Sequence, residues 1–122
     1  MMLKIIAWGV KHGPVPPADF QYKVLDLLNP HNDRLLRDLN GNDPKVKDYV
    51  RESTNYKERL DRWKAQVLIV NKEQKTVVVA CMGGKHRSVV VANDLADMFR
   101  RSGHKVQVET PFVEQTASQR LS

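Results

Sequence analysis

Apolar and polar positions follow two rhythms along this chain. Leu3-Lys4-Ile5-Ile6-Ala7-Trp8 is a short apolar run stopped by Gly9, which predicts a first strand. Two glycines and three prolines crowd Gly9 to Pro17, blocking both helix and ladder pairing and predicting a loop of fixed shape. Phe20 to Leu28 alternates imperfectly around Tyr22, Val24, Leu25 and Leu27 and reads as a second strand, closed by Asn29-Pro30-His31. Polar turn residues around Leu35, Leu36 and Leu39 make Asn32 to Asn42 a loop with one short helical turn, and Asp43-Pro44 then opens a helix. From Asn55 the rhythm changes. Tyr56, Leu60, Trp63, Val67 and Val70 recur at helical spacing, with a mixed-sign face of Lys57, Glu58, Arg59, Asp61, Arg62 and Lys64 that reads as solvated.

Thr76-Val77-Val78-Val79-Ala80 is a continuous β-branched run of the kind covered on both faces in a parallel sheet. A helix from about His86 to Ser102 follows, burying Val90, Val91, Leu95, Met98 and Phe99 and stopped by Gly103. Lys105 to Glu109 is a last strand, and Thr110 to Ser122 reads as a flexible tail, which puts the domain at residues 1–109. Strand and helix alternate without repeats. The expected architecture is therefore a single small α/β domain, a mostly parallel sheet flanked by helices, with ligands bound beyond the strands' carboxyl ends, where Cys81 to Ser88 falls.

Composition narrows the chemistry. The 122 residues suit one core, and no apolar run approaches the roughly 18 residues of a membrane span, so neither a membrane partner nor a signal peptide is expected. Cys81 is the single cysteine, which rules out an intramolecular disulfide and a multi-thiolate zinc site and points to a reducing cytoplasm; no metal and no cofactor is expected. Twenty lysines and arginines against 14 acids give a net charge of +6, which favours anionic partners: nucleic acid, nucleotides or phosphorylated metabolites.

The candidate chemistry sits in the turn Cys81-Met82-Gly83-Gly84-Lys85-His86-Arg87-Ser88. Gly83 and Gly84 let the backbone bend and approach a ligand, and the start of the next helix offers unpaired amides at the positive end of its dipole. Lys85, His86 and Arg87 add charge, and the arginine fork can hold two phosphate oxygens. The plainer alternative is a tight turn with a basic trio in solvent. A Walker loop is excluded, because Val79 stands where its first glycine belongs and His86 follows Lys85. Cys81 followed by five residues and Arg87-Ser88 also fits the loop of cysteine-dependent phosphatases, with Asp19, Asp33, Asp38 and Asp43 as candidate general acids. Against that reading, a lone cysteine ending a strand is usually a buried structural residue, and Asp43 has a helix-capping job.

Taken together, these blocks resemble the C-terminal domain of the RNase adaptor protein RapZ family. The resemblance is carried by Gly9-Val10-Lys11-His12-Gly13, by Ala18-Asp19-Phe20 through Leu27 to Asn29-Pro30-His31, by Leu39-Asn40-Gly41 before Asp43-Pro44, and above all by Cys81 to Val89, in the family's order. It implies a fold similar to part of phosphofructokinase and a phosphosugar-sensing, RNA-binding domain without established phosphatase activity. It also implies a pocket for an anionic ligand, an amino-sugar phosphate by class, formed by Lys11, His31 and the Cys81 to Ser88 loop, with Lys11, His31, Gly83, His86 and Arg87 carried over as its residues; the chemistry of the turn adds Gly84, Lys85 and Ser88 to the expected site. His31 and His86 are expected to donate hydrogen bonds whose strength varies near neutral pH.

The chain departs from the family pattern in three respects. None of these 122 residues corresponds to the adaptor's N-terminal Walker-containing domain, so a stand-alone domain is expected. Lys23 replaces an aspartate on the second strand and Met82 a threonine after the cysteine, which leaves the sugar or nucleoside part of the ligand open. The basic tail is missing, since Thr110 to Ser122 carries only Glu114 and Arg120 as charges. The expected partners are a phosphorylated small molecule and RNA, with a homo-oligomer left open.

Overall fold

The computed structural model describes residues 1–113. Four strands, β1 (Met2–Gly9), β2 (Phe20–Lys23), β3 (Gln74–Cys81) and β4 (Lys105–Glu109), form one sheet in the order β2-β3-β1-β4. Every neighbouring pair is parallel. Three helices, α1 (Pro44–Arg51), α2 (Tyr56–Ile69) and α3 (Arg87–Arg101), connect and cover them. The α/β expectation holds.

The alternation of side chains along each strand explains the layering. Leu3, Ile5 and Ala7 of β1 and Val77, Val79 and Cys81 of β3 pack with Val46, Val50, Leu60, Val67, Leu95 and Phe99 of the helices in the main core. Ile6, Val78 and Ala80 face the other way, where Val10, Val15 and Ala18 of the proline-rich loop cover them. A folded loop thus does on one face what helices do on the other, which is why the valine run of β3 is apolar at consecutive positions.

Capping fixes the helix ends. Asp43 accepts from the Lys45 amide through Oδ1 (2.9 Å) with Pro44 in the first turn, as its sequence implies. Asn55 starts α2 differently, in the left-handed region (φ 57°) with no side-chain cap. The last turn of α2 carries no basic residue. Lys75, buried at 4% exposure, supplies one from β3 and donates Nζ to the Val67 carbonyl.

Two expectations change. The second strand stops at Lys23 rather than Leu28, because the Val24 amide bonds the Ala80 carbonyl (2.8 Å) and beyond it β3 runs into the Cys81 turn, leaving nothing to pair with. Val24 and Leu27 are buried three residues apart in a turn, which is what blurred their alternation. In the segment 110–122 expected as a flexible tail, Phe112 and Val113 are buried against the domain, and residues 114–122 lie outside those described.

Candidate functional site

In parallel sheets the strands' carboxyl ends share one edge, and here the ends of the two central strands are hydrogen-bonded neighbours, with Gly9 registered to Cys81. Each leads straight into site backbone: β1 into the 3-10 turn Val10–His12, β3 into the Gly83-Gly84 turn and α3. The two segments touch closely. A Cβ on Gly9 would lie 2.4 Å from the Gly83 carbonyl carbon, and one on Gly84 2.7 Å from the Gly9 amide nitrogen, so glycine is required at both contacts. Gly84 also has φ of +70°, a conformation that penalises every residue with a Cβ.

Between these turns and the loop after β2 lies a cavity of about 420 Å³. Of the residues expected there, Lys11, His31, Gly83, Lys85, His86 and Arg87 line it, as does Cys81. Gly84 and Ser88 do not line it. They support it from behind: the Gly84 amide donates to Cys81 Sγ (3.3 Å), and the Cys81 thiol donates to Ser88 Oγ (3.1 Å). Asn29, Arg37, Asp38, Met82, His12 and Phe112 complete the wall. Cations therefore outnumber the single lining carboxylate, with Lys11, Arg37, Lys85 and Arg87 facing a space shared with Asp38.

The basic trio of the turn divides by role. Arg87 is only 6% exposed, and its guanidinium is fixed by Nη1 donating to the Leu25 carbonyl (2.6 Å). That bond commits one corner of the planar fork. Among the described residues no other hydrogen bond uses its remaining N–H groups. Lys85 donates Nζ to the Arg37 carbonyl (3.0 Å) and so ties the loop after β2 to the turn. His86, also buried, donates Nε2–H to the Leu39 carbonyl (2.6 Å). Burial pushes its pKa down to about 4, reinforced by the nearby Lys85 charge and opposed by backbone groups of Leu39 and Arg37. This corrects the expectation that His86 titrates near neutrality: it is a neutral brace at physiological pH, its Nε2–H engaged by backbone.

His31 is exposed, with its amide held by Asn29 Oδ1 (3.1 Å) and its carbonyl accepting from Arg37 Nε (2.8 Å). No side chain caps the first turn of α3, whose dipole points its positive end at this edge of the sheet. Lys23 does not line the cavity, whereas Met82 does and is 51% exposed. Asp38 lines it, while Asp43 is occupied as the α1 cap and Asp19 is held by Lys72 Nζ (2.6 Å) and the Thr76 amide (2.8 Å). Among the described residues there is no cluster of ligating side chains able to hold a metal ion. No helix among them is long and apolar enough to cross a membrane.

Sequence reasoning missed His12, Asn29, Arg37 and Phe112 as wall residues. Arg37 and Asn29 lie in loop that has no periodicity to read, and Phe112 lies beyond the last strand.

Comparison with known proteins gives a consistent result. Residues 1–113 match the family model described as the RapZ C-terminal domain. The chain is 40% identical over 108 residues to the RNase adapter protein RapZ of Serratia proteamaculans (strain 568), covering 83% of this chain and 38% of that protein. The same values hold for the RNase adapter proteins RapZ of Yersinia pseudotuberculosis serotype O:1b (strain IP 31758) and Yersinia pestis bv. Antiqua (strain Angola). The chain thus spans 38% of the length of these curated relatives.

Proposed function

The chain belongs to the RapZ C-terminal domain family, and from that membership we propose that it is a regulatory binding domain, acting in the cytoplasm, that holds a phosphorylated ligand at the Gly83 to Ser88 turn. The ligand classes that suit the site are an amino-sugar phosphate, a nucleotide or a phosphate of RNA. One observation carries this reading: Lys11, His31 and the Lys85–Arg87 pair, from three segments far apart in sequence, line one cavity of about 420 Å³ at the carboxyl edge of the sheet. That volume suits a small phosphorylated molecule. Arg87 offers its uncommitted N–H groups to phosphate oxygens, Lys11 neutralises remaining charge, His31 donates from the exposed rim, and the uncapped start of α3 adds its dipole.

Calorimetric titration with a hexosamine phosphate, a nucleoside monophosphate and inorganic phosphate tests the reading. Lys11 is exposed, so Lys11→Ala should keep the fold while weakening binding by about tenfold or more, the value of one charge-assisted bond. No heat from any of the three, or equal affinity in the variant, would refute it. An RNA partner makes a separate demand: gel shifts must weaken steeply as salt rises.

A second reading keeps Cys81 as a nucleophile, favoured by its sharing one cavity with Arg87 and Asp38 and by the Ser88 hydroxyl and Gly84 amide at its sulfur. Hydrolysis of an aryl phosphate by wild type but not by Cys81→Ser would establish it, and identical background rates would remove it.

A further inference from the structure

The Gly83–Gly84 peptide is gripped at both polar ends. Its N–H donates to Cys81 Sγ (3.3 Å), and its carbonyl lies 3.2 Å from Nε2 of His12, which must therefore carry the proton. We propose that His12 is a positioning residue for the anion seat, holding the Gly83 carbonyl so that its oxygen stays out of the space an anion would occupy. The proposal rests on the phosphate-binding reading and adds to it the device that keeps the turn in its receptive form.

Three features make this peptide the place where control is needed. Both of its residues are glycine, so the turn has no Cβ of its own to fix the peptide plane, and the direction of the Gly83 carbonyl depends on its contacts: the packing against Gly9, where an added Cβ would lie 2.5 Å from that oxygen, and the two hydrogen bonds that hold it beside the cavity Gly83 lines. An oxygen turned into that cavity would repel the anion that Lys11 and Arg87 attract. The neighbouring carbonyl is restrained in the same way, since the Lys11 amide bonds the Met82 oxygen (3.1 Å). Lys11 and His12 together thus occupy two successive carbonyls of the turn.

His12 is itself well supported. Its ring stacks on Phe112 with centroids 3.9 Å apart and planes 9° from parallel, and Phe112 meets Trp8 edge-on at 4.9 Å. The imidazole therefore combines two separable contacts, a stacked face and a donated hydrogen. His12→Phe keeps the ring and loses the donor. His12→Gln keeps an amide donor and loses the ring.

The test is titration of inorganic phosphate and a hexosamine phosphate into the whole chain, wild type and the two variants, with Lys11→Ala as a control on the site. The Gly83 carbonyl carbon and Gly84 amide are followed by NMR. About a tenfold loss for His12→Phe, recovery to within about threefold in His12→Gln, and a shift of the Gly83 carbonyl resonance in the Phe variant alone are expected. Wild-type affinity in His12→Phe while Lys11→Ala is weakened would overturn the role of His12 and leave the phosphate reading standing. Equal loss in both His12 variants would overturn the hydrogen bond as its cause. Absence of binding by wild type would defeat both, and the carbonyl resonance would then report only whether His12 grips the peptide.

Discussion

Acidification should weaken this fold through one histidine, over a pH window that the carboxylates do not share. The ordinary imidazole value of 6.5 falls to about 4 in folded His86, chiefly because burial penalises the charged ring. Above pH 6.5 the ring is neutral in both folded and unfolded chains, and the contribution is fully present. Below that, the unfolded chain takes up a proton that the folded chain refuses, so stability drains away as pH falls until about pH 4, where the folded ring protonates as well. The gap between the two values amounts to about 3 kcal/mol, of which about 2 kcal/mol should be gone by roughly pH 5. Asp19 and Asp26, held below the ordinary 3.8 by hydrogen bonds from Lys72 and Arg59, act only at lower pH. His86→Gln keeps an amide donor for the Leu39 carbonyl and cannot titrate. Urea unfolding of both proteins between about pH 7.5 and about pH 4.5 should show wild type losing stability and the variant staying nearly level. Parallel losses in the two proteins would refute burial of a neutral His86 as the cause.

Other outcomes follow from the turn and the helix layer. Gly84→Ala should destabilise by about 2 to 4 kcal/mol, because its φ is +70° and the new Cβ would meet Phe112 at 2.6 Å, read as a drop in urea midpoint. Gly83→Ala should unfold almost as wild type in the same assay, since its Cβ would find only the Lys11 side chain, Cε at 3.6 Å and Nζ at 3.8 Å, at ordinary contact distance. Tyr56→Phe removes a 2.8 Å hydrogen bond to Asp94 and should cost about 1 kcal/mol in the same assay, with Arg51 still paired to that carboxylate.

How much could be read from the chain depends on whether the information was local. The strand, glycine turn and helix from Thr76 to Ser102 are legible because β-branched residues, glycines and helical spacing follow one another without overlap, and the same span carries Gly83 and Arg87. The end of β2 was not legible, because what stops it is the disappearance of β3 as a partner, a fact located 57 residues further on. The roles within Lys85-His86-Arg87 were equally hidden. Three adjacent basic residues look alike in sequence, but the carbonyls of Arg37, Leu39 and Leu25 that engage them come from a loop without periodicity. His12 drew no role from its own sequence because its job exists only where β1 and β3 end side by side.

That side-by-side ending has a further consequence for how such a domain can diversify. The contacts joining Gly9 to the Gly83–Gly84 peptide leave no slack, so substitutions at Gly9 and Gly84, which set the shape of this half of the cavity, carry a folding penalty along with any change in selectivity. The opposite half is contributed by Asn29, His31, Arg37 and Asp38, on a surface loop outside the sheet. New ligand preferences are therefore cheapest to acquire from that side, and randomising it while freezing the glycine hinge is the economical library for redirecting the domain.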